Sequence, residues 1–126
     1  MDTDKDVQDP LTGHIIKSCF EVINRLGHGF AEVIYQRALT LELQDRGIQV
    51  EREVRFPVLY KGQEIGMFVA DLIADRSVIV ELKALDALLQ PFHFGQCLNY
   101  MRVSAISTGL VINFGRPRLE WRRLSL

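Results

Sequence analysis

The chain has 126 residues, 48% hydrophobic and 25% charged, with a formal net charge of −1. That length supports one hydrophobic core and not two, and no apolar run approaches the roughly 20 residues that span a bilayer. The polar, acidic start lacks signal-peptide character, and the charge balance excludes nucleic-acid binding by global positive charge, leaving only local patches for such contacts.

Residues 1–12 read as a flexible N-terminal tail: four aspartates and little to bury. One domain is expected over 13–126. Ile15, Ile16, Cys19, Phe20, Val22, Ile23 and Leu26 recur at helical steps and predict a first helix. Gly27-His28-Gly29 ends it, and a second helix is expected over 30–46 with Gly47 as its stop.

The period then changes. Residues 48–60 read as a strand, with Val50, Val54, Phe56 and Val58 at alternate positions, and Lys61-Gly62-Gln63 as a turn. Two further strands, 64–74 and 77–83, are joined by Asp75-Arg76. The second of them is apolar on both faces, as a central strand should be. Pro91 opens a third helix reaching about residue 103, followed by strands at 108–113 and 119–124. The fold class is therefore α/β (α+β), a mixed sheet of four to five strands flanked by helices. Cys19 and Cys97 are far apart, with no CxxC spacing. They suggest neither a disulfide framework nor a zinc site, and they fit a cytoplasmic protein.

Glu81-Leu82-Lys83 closes the most buried strand, and residues two apart in a strand share a face. Glu81 and Lys83 there need a partner or a metal, since buried charge is costly to desolvate. A structural ion pair would serve as well. Asp71 interrupts an otherwise apolar strand, and alternation puts it with Val69 and Ile73 on a core face. A tight turn brings that strand back beside Glu81. Two carboxylates and an ammonium converging there form a hard-oxygen site suited to Mg²⁺ or Mn²⁺. Glu32 lies toward the apolar stripe of Leu39 and Leu43 on the second helix, with Gly29 permitting close backbone approach and Tyr35 placed to hold its carboxylate. A glutamate at a helix start also simply complements the dipole. Gln96 and Tyr100 form an i, i+4 pair on the third helix.

Gly29 to Tyr35 spells GxxExxY, and Asp71, Glu81-Leu82-Lys83 and Gln96…Tyr100 follow in order. The whole resembles the GxxExxY protein family, a branch of the PD-(D/E)xK nuclease superfamily, over nearly the full chain. The resemblance implies a metal-dependent nuclease acting on DNA or RNA. Asp71 and Glu81 would be the main metal ligands, and Glu32 the helical acid that closes the site and contacts water or a second metal. Lys83 would position the attacking water, while Gln96 and Tyr100 would orient the site or the substrate strand. The alternative within the same fold is a catalytically silent module that binds nucleic acid or a protein partner. A homodimer is compatible with either, and a membrane partner is not expected. One departure is that 90–96 lacks the Ser or Thr N-cap and the Glu expected there. The dense basic cluster Arg116, Arg118, Arg122 and Arg123, with Trp121 among them, suits phosphate contacts, above all through Arg118, Arg122 and Arg123. A charge-guarded edge strand reads equally well.

Overall fold

The structure is a computed structural model and describes residues 9–126. Helix α1 spans Pro10–Leu26 and α2 spans Glu32–Asp45. Strands β1 (Val50–Tyr60), β2 (Gln63–Ala74) and β3 (Val78–Lys83) follow, then α3 (Pro91–Ser104), β4 (Thr108–Asn113) and β5 (Glu120–Ser125). The five strands lie in the order β1-β2-β3-β4-β5, with β3 and β4 parallel and every other pair antiparallel. The expected element order and mixed sheet are both present.

The first helix begins earlier than its apolar stripe suggested. Asp9 is its N-cap, with Pro10 in the first turn, and the Thr12 hydroxyl donates to Asp9 Oδ2 at 2.6 Å. Thr12 is buried, so residues 9–12 belong to the domain rather than to a tail. The remainder of the expected tail, 1–8, lies outside the described residues.

Two cores sandwich the sheet. α1 and α2 pack through Ile15, Cys19, Leu39 and Leu43 on Leu72, Val80, Leu82, Leu110 and Ile112. α3 packs through Cys97 and Met101 on Phe68, Ala70, Ile73, Ile79 and Val111. In a regular strand, residues two apart share a face, yet Ala70 and Leu72 lie in opposite cores. β1 switches faces at the same level, because Val50 belongs to the first core and Val54, Phe56 and Val58 to the second. The switch is located by Glu53, which falls between the Arg52–Leu72 and Val54–Ala70 pairs and has φ of 52°. This kink corrects the alternation expected around Asp71: Ile73 is buried, but Val69 is 43% exposed.

β2 and β3 pair only at Leu72–Val80, Ile73–Ile79 and Ala74–Val78. Beyond Leu72 the strands part, and the rest of β2 continues as a hairpin with β1. A mouth therefore opens in the sheet at Asp71 and Glu81.

Candidate active site

Asp71 fills that mouth. Its Oδ2 accepts the backbone N–H of Leu82 at 2.8 Å, replacing the ladder bond lost where the strands part. Its backbone carbonyl accepts Gln36 Nε2–H from α2 at 3.2 Å, which ties the kink to the helix. Glu81 lies against Asp71 and is 7% exposed. Burial first, then the Asp71 charge and a shared hydrogen bond with that carboxyl, push Glu81 up to about 9, although Lys83 pulls the other way. One of its oxygens, Oε1, is buried and has no hydrogen-bond partner.

Glu32, the first residue of α2, reaches the same place from the helix side. Partial burial raises its carboxyl above the usual range; the charge of Lys83 lowers it and that of Asp71 raises it. The same ammonium lowers Glu81, so Lys83 lies within electrostatic reach of both acids. Glu32, Val33, Gln36, Glu53, Asp71 and Leu82 line a cavity of about 200 Å³ at this point. Tyr100 closes the opposite side from α3. Its ring stacks on Phe68 with centroids 3.7 Å apart, and burial together with the Glu81 and Asp71 charges raises its phenol.

Asp71, Glu81, Lys83, Glu32 and Tyr100 are thus brought together. Gln96 is not drawn in: it is exposed on α3 and its side chain makes no hydrogen bond among the described residues. Tyr35 does not hold Glu32. Its hydroxyl donates to Gly27 O at 2.8 Å and accepts Phe30 N–H at 3.1 Å, while its ring stacks on Phe114. The tyrosine of the motif therefore fixes the α1–α2 turn that delivers Glu32. Gly29 is needed for its φ of 90°, since an added Cβ would meet nothing within 4 Å. The close approach lies instead at Gly115, whose Cβ would stand 2.2 Å from the Leu85 backbone nitrogen.

The basic run does not form one patch. Arg122 lies over the Phe94 ring at 4.7 Å on the α3 side. Arg123 pairs with Asp9 at 3.1 Å on the α1 side, with its side chain only 10% exposed. Arg118 is exposed. The start of α3 is capped without the missing serine, because His93 Nδ1 accepts the Gln90 N–H at 2.8 Å. His93 is buried in that duty.

Three residues carry roles that the sequence alone does not assign. Gln36 sits one turn after Glu32, and that spacing was a usable signal. Asn113 is fully buried: its Oδ1 accepts from Leu85 N and Gly115 N, and its Nδ2 donates to Leu85 O and Ala87 O. It thereby orders the loop that leaves Lys83. Glu53 had no signal, since a glutamate with positive φ is not encoded by composition or period.

A divalent ion fits this chemistry. An orphaned, buried carboxyl oxygen beside a second carboxylate is an oxygen donor set, and its proton would be exchanged for the cation. Among the described residues no three His, Cys, Asp or Glu side chains stand ready as a cage. Mg²⁺ needs none, as it keeps several waters and binds through one or two carboxylates.

A mixed five-stranded sheet between helices, with acids and a lysine at a parted strand pair, defines a nuclease-type fold. Residues 9–124 match the model of the PD-(D/E)XK nuclease superfamily, and the chain belongs to that superfamily. Among solved structures it is similar to the crystal structure of SSO0001, at 19% identity and a TM-score of 0.59. That likeness covers 75% of this chain and 50% of the other, so this chain spans about half of that protein's length. A comparison with curated proteins gives no match. Among the described residues no helix is long and apolar enough to cross a membrane.

Proposed function

We propose that the chain is a metal-dependent nuclease of the GxxExxY branch, hydrolysing phosphodiester bonds of DNA or RNA. The observation that carries this reading is Glu81, whose buried and unpartnered oxygen lies against Asp71 at the mouth between β2 and β3. Asp71 and Glu81 would hold Mg²⁺ or Mn²⁺, with Glu32 on the open side. When bound, the ion lowers the pKa of a coordinated water and neutralises phosphoryl charge.

The chain's own residues supply the rest. Leu82 N–H holds the Asp71 carboxylate in place, leaving its other oxygen for ligation. The Lys83 ammonium orients the attacking water and offsets charge developing on the phosphate. Glu32, with its raised carboxyl, is placed to take a proton from that water. Tyr100 keeps its proton at neutral pH and donates toward the acids or a phosphoryl oxygen. Gln96, exposed one turn earlier on α3, would meet the substrate strand outside the cleft. The buried, unpaired cysteines suit the reducing cytoplasm in which we place the protein.

The test is cleavage of single- and double-stranded DNA and RNA with Mg²⁺ or Mn²⁺, using Lys83→Ala as control. Metal-dependent cleavage that Lys83→Ala abolishes is the expected result. Binding without cleavage under every condition would leave the silent module in its place.

A further inference from the structure

Beside the acidic cleft lies a second hollow, of about 410 Å³, lined by Val33, Gln36, Arg37, Arg52 and Glu53. Val33, Gln36 and Glu53 line both, so cleft and hollow form one continuous groove between α2 and the edge strand β1. Its far end is basic. Arg37 comes from the helix wall and Arg52 from the strand wall, and both are exposed. Neither arginine of the groove forms an ion pair with a carboxylate among the described residues.

The backbone explains how two adjacent strand residues reach one groove. Neighbours in a regular strand point to opposite faces, so Arg52 and Glu53 would ordinarily be separated by the sheet. The left-handed φ of 52° at Glu53 turns the strand there and sets both side chains along the same wall. A left-handed non-glycine residue is strained, and such conformations gather at ligand sites.

We infer that this groove is the track for the substrate's sugar–phosphate backbone, with Arg37 and Arg52 holding a phosphate beside the one cleaved at Asp71 and Glu81. The inference rests on the nuclease reading and names the binding subsite of that same site. Arginine suits the role, because its planar fork matches phosphate oxygens. Among the described residues no aromatic ring lines the groove on which a base could stack. The contact therefore reads the backbone and not the bases.

Fluorescence anisotropy of labelled 20-mer DNA and RNA across a salt series tests this, with Ca²⁺ replacing Mg²⁺ so that binding is read alone. Arg37→Ala/Arg52→Ala should flatten the slope of log affinity against log salt by about 0.7–0.9, the counterion release of the one phosphate they hold. The loss should be alike for oligonucleotides of different sequence. Arg25→Ala/Arg102→Ala removes the same charge elsewhere and should leave the slope unchanged. Both pairs are exposed, and the thermal melts of the variants should match the wild type. An unchanged slope in Arg37→Ala/Arg52→Ala, or an equal loss in both double variants, overturns the track. So does a wild type that binds no oligonucleotide. The nuclease reading fails separately: arginine-dependent binding with no cleavage by the wild type would keep the track and remove the catalysis. Cleavage with an unchanged slope would do the reverse.

Discussion

Replacing Glu81 with Gln tests the site without any substrate. In the metal-free protein this carboxyl sits at about 9 against an ordinary 4.5, chiefly because it is buried and next because Asp71 is charged. The folded protein thus keeps a proton that the unfolded chain releases between those values. Its contribution to stability is complete below about 4.5 and is lost as pH rises towards 9. The limiting slope is about 1.36 kcal/mol per pH unit, or a ceiling of about 4 kcal/mol between pH 5 and pH 8. Sharing of the proton with Asp71 and entry of water reduce that to about 2 kcal/mol. For a domain of this size, that is roughly 8 °C in Tm. A glutamine keeps the donor toward Asp71 and carries no charge. The variant should match the wild type at pH 5 and exceed it by about 2 kcal/mol at pH 8 in a chelator. Thermal melts across that range, with EDTA and then with excess Mg²⁺ or Mn²⁺, give the readout. Metal should remove the pH penalty in the wild type and do nothing for Glu81→Gln. Parallel pH profiles for the two proteins in EDTA would refute the reasoning.

Three further outcomes follow from the same geometry. Asp71→Asn keeps an oxygen for the Leu82 N–H and removes a charge, so the metal-free variant should be at least as stable as the wild type. It should lose most of the stabilisation that metal gives, about 2.7 kcal/mol at a hundredfold excess over Kd, as read by thermal shift; a strongly destabilised variant with no metal effect on the wild type would make these acids structural. Asn113→Ala strands backbone groups of the 84–90 loop and should cost about 3 kcal/mol, measured by urea unfolding, with Lys83-dependent activity falling as well. Glu53→Gly should hold or slightly raise Tm by relieving the left-handed residue, whereas Glu53→Val should cost about 1–3 kcal/mol; equal effects would mean the kink is not strained.

Most of the fold was legible because its signals are local. Apolar spacing marks α1, alternation marks the outer half of β1, and the all-apolar β3 announces a central strand. The site was legible only as an order of residue types. Asp71 and Glu81 lie together, but not by the alternation expected of β2. Strict alternation would have carried the face of Val69 through to Ile73, but the kink at Glu53 and Asp71 swaps faces between them. Nearness in sequence pairs Tyr35 with Glu32, whereas its hydroxyl bonds the Gly27 carbonyl instead. Arg122 and Arg123 are neighbours in β5 and so stand on opposite sides of the sheet. Period two predicts that separation, and a count of basic residues hides it. Asn113 and Gln36 act through long-range backbone contacts that depend on which loop or strand the tertiary fold brings past them.

The short ladder between β2 and β3 has one more consequence. Glu53 and Asp71 ride on the hairpin, whereas Glu32, Glu81 and Lys83 ride on the remainder of the domain. Across the mouth, the Asp71 carboxylate bonded to the Leu82 amide is a rivet between the two parts. A rivet of that kind can loosen without melting either part, since local opening draws on far less free energy than global unfolding. The Leu82 amide is therefore a gauge of the seam itself. Its hydrogen exchange would slow when a cation joins the two acids, and quicken when Asp71 is shortened, even if the melting temperature stays where it was.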